Sequence, residues 1–161
     1  QKSSYNLPMD VEIPGYGRLV IKTVVLDLNG TIAMEGRLVE GVRERLNLLK
    51  EKGLRIILFS GDTRGNAESI ALDLGIEFIR ATNATEKAEQ IGKLDPETCV
   101  AIGNGLIDVG KFNLAKLAIG TIQDEGLHVK ALMASDIVVT SVNNALDLLI
   151  DENSLIATLR S

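Results

Sequence analysis

Hydrophobic positions along the chain follow two alternating patterns. Short apolar runs rich in β-branched residues recur at residues 18–21, 23–28, 54–59, 76–79, 99–102, 117–120 and 136–139. Most are continuously apolar rather than alternating, which predicts strands covered on both faces. Between them apolar residues return at helical spacing: Val42, Leu46 and Leu49; Ala67, Ile70, Ala71 and Leu74; Val109, Phe112, Leu114 and Ala115; Ala145, Leu146, Leu149 and Ile150. Gly53 and Gly75 stand where helices should stop and strands begin. Residues 11–21, with Pro14-Gly15-Tyr16-Gly17 at their centre, read as a small hairpin leading into the first buried strand. Strand–helix alternation of this kind predicts an α/β fold on a doubly wound, mostly parallel sheet with right-handed crossovers.

Composition narrows the function classes. A length of 161 residues corresponds to one domain, and no repeat, low-complexity tract or long linker divides it. The net charge of −5 argues against a basic nucleic-acid surface, and 3% aromatic residues with no Trp argue against a base-stacking platform. No nucleic-acid partner is expected. No apolar run approaches the ~18 residues of a membrane span, so no membrane partner is expected either. The first ten residues lack the apolar core of a signal peptide. The one cysteine, Cys99, excludes an intramolecular disulfide and fits a reducing, cytoplasmic compartment; heading an apolar strand, it reads as core packing. The one histidine, His128, lacks the partner ligands of a zinc site.

In doubly wound sheets ligands bind at the carboxyl ends of the strands, beside the switch in strand order. Four groups of polar residues are placed there: Asp27-Leu28-Asn29-Gly30-Thr31, Ser60-Gly61-Asp62-Thr63, the helix entry at Thr85-Glu86-Lys87, and Gly103-Asn104-Gly105-Leu106-Ile107-Asp108. Each has a plain structural reading. Asn29-Gly30 is a strong turn dipeptide that Asp27 could flank. Asp62 or Thr63 suits a helix N-cap, and Lys87 alone suits a solvated helix surface. Each also has a chemical reading. A carboxylate ending an apolar strand needs a partner. A hydroxyl and backbone N–H groups at a strand-to-helix corner suit a phosphate oxyanion. A lysine near a helix start opposes the macrodipole unless an anion lies beside it. The glycine pair at Gly103 and Gly105 does not complete a dinucleotide fingerprint, because Asp108 stands where its third glycine belongs.

In this order the four groups resemble the haloacid dehalogenase superfamily, and in particular the phosphorylation domain of P-type ATPases and the small soluble proteins similar to it. Asp27-Leu28-Asn29-Gly30-Thr31 resembles the first motif, an Asp nucleophile followed by x-x-Gly-Thr. Phe59-Ser60-Gly61-Asp62-Thr63 resembles the Thr-Gly-Asp block, and Gly103-Asn104-Gly105-Leu106-Ile107-Asp108 is similar to Gly-Asp-Gly-x-Asn-Asp. Ala118-Ile119-Gly120 through Ser135-Asp136-Ile137-Val138 resembles that domain's last strands. The likeness covers residues 23–150. It implies one three-layer α/β/α, Rossmann-like domain over residues 1–161, with an N-terminal hairpin at 11–21, the core at 23–150 and a C-terminal helix or tail at 151–161. The stretch between Asp27 and Ser60 is filled by a flap, a helix and a strand, so the domain is expected to be capless and to carry no nucleotide-binding insertion.

The resemblance also implies roles. Asp27, Asn29, Ser60 and Lys87 form the catalytic set. Gly30, Thr31, Ser60, Gly61 and Lys87 hold the phosphate. Asp27, the Asn29 backbone carbonyl, and a side chain from Asn104 or Asp108 hold a Mg²⁺ ion, with the choice between those two side chains open. The expected activity is a Mg²⁺-dependent phosphohydrolase working through an aspartyl-phosphate on a phosphorylated small molecule or macromolecule, an oligomer partner completing the site being equally open. Two departures from the family pattern modify this. Asn29 replaces the carboxyl that serves as general acid and base in the superfamily's phosphatases, which predicts slow turnover. Asn104 replaces the first carboxylate of the last motif, which predicts weak cation binding. The alternatives are a receiver-like phospho-accepting regulatory protein and a catalytically inactive binding protein of the same fold.

Overall fold

The structure, a computed structural model, describes residues 8–61 and 65–161. Its elements in chain order are β1 (Met9–Ile13), β2 (Gly17–Ile21), β3 (Thr23–Asp27), β4 (Ala33–Met34), β5 (Arg37–Leu38), α1 (Val42–Glu51), β6 (Arg55–Ser60), α2 (Asn66–Leu74), β7 (Glu77–Arg80), α3 (Ala84–Gly92), β8 (Cys99–Gly103), α4 (Val109–Leu114), β9 (Leu117–Thr121), α5 (Val129–Ala134), β10 (Ile137–Val139), α6 (Val142–Ile150) and α7 (Glu152–Leu159). Each predicted strand is present within a residue or two of its expected ends. The hairpin starts earlier than expected, pairing Met9 with Ile21 through to Ile13 with Gly17.

The central sheet has the order β10-β9-β8-β3-β6-β7, and every neighbouring pair is parallel. Counted along the chain from β3, this is the 3-2-1-4-5-6 order of the Rossmann doubly wound sheet, read from the other edge. It is not the 2-1-3-4-5 order of receiver domains, so the receiver alternative loses its structural basis. The chain winds outward from β3 through β6 to β7, then crosses back to β8 on the other side of β3. The switch point therefore lies between β3 and β8.

Strand side chains alternate between two helical layers. Val24, Leu26, Ile56, Leu58, Val100, Ile102 and Ile119 join the core beneath α1, α2, α6 and α7, with Met9, Ile13, Leu19 and Ile21 of the hairpin added to it. The opposite face is smaller. Val25, Ile57 and Phe59 meet Ile91 of α3, while Ala101 and Ala118 meet Phe112 of α4 and Ala131 of α5. The predicted stripes are the buried ones: Val42, Leu46 and Leu49 in α1, and Ala67, Ala71 and Leu74 in α2. Cys99 is buried as expected, and burial pushes its thiol up to about 11. His128 caps α5, its Nδ1 accepting from the Lys130 N–H. Among the described residues no helix is long and apolar enough to cross a membrane.

Candidate functional site

Asp27 is the last residue of β3, between β8 and β6. Because side chains alternate along a strand, it faces the same side as Val25, toward α3 and α4. The carboxyl is therefore delivered, buried, to the place where those two helices begin.

Lys87 comes from the first turn of α3. That helix start is tied down by Asn83, whose side chain accepts from the Glu86 N–H, and by Glu86, whose carboxylate accepts from the Thr82 N–H and hydroxyl. Lys87 is 5% exposed and its Nζ donates to Asp27 Oδ1 at 2.8 Å. The solvated-surface reading of Lys87 is thus replaced by a buried ion pair, and Asp27 is the anion that offsets the helix dipole.

The last motif closes the site. Asp108 folds back over the end of β8 so that its Oδ2 accepts from the N–H groups of Asn104 and Gly105, both at 2.9 Å. Gly103 is required there, since any Cβ at that position would overlap the Asp108 carboxylate. The other oxygen, Asp108 Oδ1, faces the ammonium groups of Lys87 at 3.5 Å and of Lys111 at 3.2 Å.

Lys111 is the residue that sequence reasoning missed. Its position in α4 among Val109 and Phe112 reads as part of an apolar stripe. The available signal was spacing: three residues after Asp108, it lies on the same helix face. It is 0% exposed, and its Nζ donates to Asp27 Oδ1 at 3.0 Å and to the Ile102 carbonyl at 3.2 Å.

Burial pushes the Asp27 carboxyl up to about 6; the Lys111 charge pulls against this, while Asp108 adds to it. Burial opposes ionisation of Asp108 as well, but Lys111, the contact with Asp27, Lys87 and the Gly105 N–H together hold it below the usual carboxylate range. Of the two, Asp108 is the firmer anion because backbone N–H groups support it besides the lysines. Burial works against the Lys111 charge, yet Asp108 and Asp27 hold it above the ordinary lysine range.

A cleft of about 250 Å³ opens over these groups, lined by Asp27, Leu28, Asn29, Phe59, Ser60, Gly61, Lys87, Asn104, Gly105, Ile107, Asp108 and Glu125. The structure thus brings Asp27, Asn29, Ser60, Gly61, Lys87, Asn104 and Asp108 together. Gly30 and Thr31 depart from expectation. The Gly30 N–H donates to the Ala33 carbonyl and the Thr31 N–H to that of Leu28, and neither residue lines the cleft. Thr31 is fully buried, its hydroxyl without a partner among the described residues. Both build the turn into the β4–β5 flap rather than a phosphate cradle. Asp62 and Thr63, the expected helix caps, lie outside the described residues. Glu125, from the loop after β9, is an unanticipated carboxylate at the rim, close above Gly30, which has the positive φ of 78°.

A magnesium ion of the kind the resemblance implies is held through one or two carboxylates, with water and substrate oxygens completing its shell, so those carboxylate oxygens must not already be shared. Asp108 has both oxygens engaged, and Asp27 Oδ1 is shared by two ammonium groups. Asn29 offers the backbone carbonyl expected of it and Asn104 the side-chain Oδ1 of an amide whose Nδ2 donates to the Gly126 carbonyl, both neutral donors. Among the described residues no group of three or more His, Cys, Asp or Glu could hold a metal ion. The donor set does not make the Mg²⁺ site expected at Asp27, Asn29, Asn104 and Asp108.

Comparison with known proteins places this arrangement. Residues 11–112 match the model of the haloacid dehalogenase-like hydrolases. A soluble P-type ATPase-like phosphatase of Methanocaldococcus jannaschii is 30% identical over 140 residues, covering 83% of this chain and 51% of that protein. A copper-transporting ATPase of Helicobacter pylori is 31% identical over 121 residues, covering 73% of this chain and 16% of the transporter. The chain thus spans about half the length of the phosphatase and a small part of the transporter. Among solved structures, the 3-deoxy-D-manno-octulosonate 8-phosphate phosphatase of Moraxella catarrhalis, in complex with magnesium, phosphate and the sugar, superposes with a TM-score of 0.66. It is 21% identical, and the match covers 87% of this chain and 94% of that one, a likeness of fold.

Proposed function

We propose that this chain, which belongs to the haloacid dehalogenase-like hydrolase family, is a slow phosphohydrolase that transfers a phosphoryl group to Asp27 and then to water. The observation that carries the reading is the pairing of Asp27 Oδ1 with Lys87 at 2.8 Å at the mouth of the cleft. That contact orients the carboxylate through Oδ1 and leaves Oδ2 as the candidate nucleophile.

Asp27 Oδ2 attacks phosphorus opposite the leaving oxygen. The Oδ2–P bond forms as the P–O bond to the leaving group breaks. Lys87 and the Ser60–Gly61 corner hold the equatorial oxygens, where charge is greatest. The leaving oxygen takes its proton from water, because the Asn29 amide has none to give. A water molecule then attacks the same phosphorus, the Oδ2–P bond breaks, inorganic phosphate departs, and the water's proton passes to solvent. Losing a positioned acid and base typically costs 10²–10⁴-fold, which makes both steps slow. No step passes through the Mg²⁺ ion that the resemblance implies, since the donor set does not fit it.

The substrate is a phosphorylated small molecule or an exposed phosphoryl group on a macromolecule. Among the described residues the short β4–β5 flap stands beside the open cleft, which leaves room for either, or for a second copy of the chain. A cytoplasmic setting fits the free, buried Cys99. The testing experiment is a panel of phosphate esters and acyl phosphates, assayed beside Asp27→Asn. Wild type is expected to turn over and to trap an acid-stable, hydroxylamine-sensitive phosphoryl label, and the variant to do neither while melting cooperatively. Full activity in Asp27→Asn would refute the mechanism. A folded wild type inert toward every phosphoryl donor would favour the inactive binding protein.

A further inference from the structure

The reaction above uses Asp27 and Lys87 and leaves Lys111 without a task, although its ammonium is fully enclosed. Burying such a group is costly unless oxygens surround it. Three do: Asp27 Oδ1 at 3.0 Å, Asp108 Oδ1 at 3.2 Å and the Ile102 carbonyl at 3.2 Å. The cleft lining includes Lys87 but not Lys111, so Lys111 approaches the carboxylates from the interior, behind the surface a phosphoryl group would meet.

The charges then decide the matter. Asp27 and Asp108 contribute two negative charges, and Lys87 and Lys111 two positive ones. With Lys87 alone the cluster would carry one unbalanced negative charge facing an incoming dianion, the situation a divalent cation ordinarily relieves. With both lysines it is neutral. Among the described residues, the other polar side chains on the cleft, Asn29, Ser60 and Asn104, are neutral, and Glu125 sits at the exposed rim, where water and salt screen it.

Resting on the phosphohydrolase reading, we infer that Lys111 is an internal counter-cation that balances the Asp27–Asp108 pair from behind, so that the cleft binds a phosphoryl group without a divalent metal. Lys111 is a positioning residue: it acts on phosphate through Asp27 and touches none of the reacting oxygens. The metal dependence of binding is therefore a property of this side chain, and a merely structural lysine would leave it unchanged.

The test measures binding of inorganic phosphate to the full chain by calorimetry, near neutral pH, in EDTA and in millimolar magnesium. For wild type the two dissociation constants should agree within about threefold, under 1 kcal/mol on the affinity scale. Lys111→Met, close in volume but uncharged, should bind phosphate about tenfold more weakly in EDTA and recover with magnesium. If Lys111→Met does not melt cooperatively, the wild-type pair of measurements decides alone. Binding by wild type that is at least about tenfold tighter with magnesium overturns the inference and leaves the phosphohydrolase reading standing. So does a folded Lys111→Met that binds in EDTA as well as wild type does. Absence of phosphate binding by wild type under both conditions overturns both readings.

Discussion

Asp27 and Asp108 present their Oδ1 atoms to the same two ammonium groups, Lys87 at 2.8 and 3.5 Å and Lys111 at 3.0 and 3.2 Å. The two carboxylates are unequal in spite of this symmetry, because Asp108 also accepts two backbone N–H bonds and Asp27 is left to face the cleft.

The first expected outcome follows from that inequality. Burial raises the Asp27 carboxyl to about 6, against an ordinary value of 3.8. Below that pH it is protonated and cannot attack, so phosphoryl labelling should fall as pH drops through about 6. A pH profile of labelling, or carbon NMR of the Asp27 carboxyl, would read it. Titration near 4 would contradict the burial argument. For stability the sign is that of a raised acid: the contribution of Asp27 is fully present below 3.8 and is lost as pH rises through about 6.

Asn29→Asp should raise steady-state turnover by at least about tenfold, a conservative share of the usual acid–base effect. Asn29 is exposed in the cleft, so the change is sterically small. The gain should be larger for alkyl phosphates than for aryl or acyl phosphates, whose leaving groups need little protonation. The new carboxylate also repels the dianion. Assays of both substrate types with and without magnesium separate the two effects.

Gly103→Ala should destabilise the fold by about 1–3 kcal/mol, the usual cost of forcing an added methyl into a packed site. The methyl would collide with the Asp108 carboxylate, displacing it from the Asn104 and Gly105 N–H groups. Urea melts would measure the loss, and labelling of Asp27 should fall with it. A variant of unchanged stability would show that Asp108 can move without penalty.

ATP should bind no more tightly than tripolyphosphate. The cleft of about 250 Å³ is smaller than the ~300–1,000 Å³ of pockets that enclose drug-sized ligands. The neighbouring cavity, lined by Met34, Glu35, Arg37, Asp124 and Glu125, is mainly acidic and has no aromatic ring for a base to stack on. Competition calorimetry between the two ligands reads the outcome. A clear preference for ATP would require a base-binding surface.

Local pattern alone determined most of the architecture. Continuous β-branched apolar runs such as Thr23-Val24-Val25-Leu26 favour strands covered on both faces, and Val42, Leu46 and Leu49 fall at the spacing of one helical stripe. Strand ends follow from the same pattern, which is why Asp27, Ser60 and Asn104 could be placed beside one cleft in advance. Helix α5 escaped this reading because it is six residues long and leaves Val129, Leu132 and Met133 exposed, so no stripe marks it. Gly30 and Thr31 lie within the expected motif, yet their backbone donors turn inward. Which carbonyl an N–H meets depends on how the flap closes on Leu28 and Ala33.

Only the tertiary structure decided the charge of the site. Lys87, Asp108 and Lys111 are separated from Asp27 by 60 to 84 residues or sit on another helix, and nothing local says that their side chains share one buried volume. A lysine in a helical stripe is read as solvated because burying an ammonium is costly, and that cost disappears only where folding has already gathered carboxylates to meet it. The parallel sheet does the gathering. By setting the end of β3 between β8 and β6, it brings α3 and α4 to the same carboxyl, and so it makes two lysines, chemically ordinary in the chain, the counter-ions of Asp27.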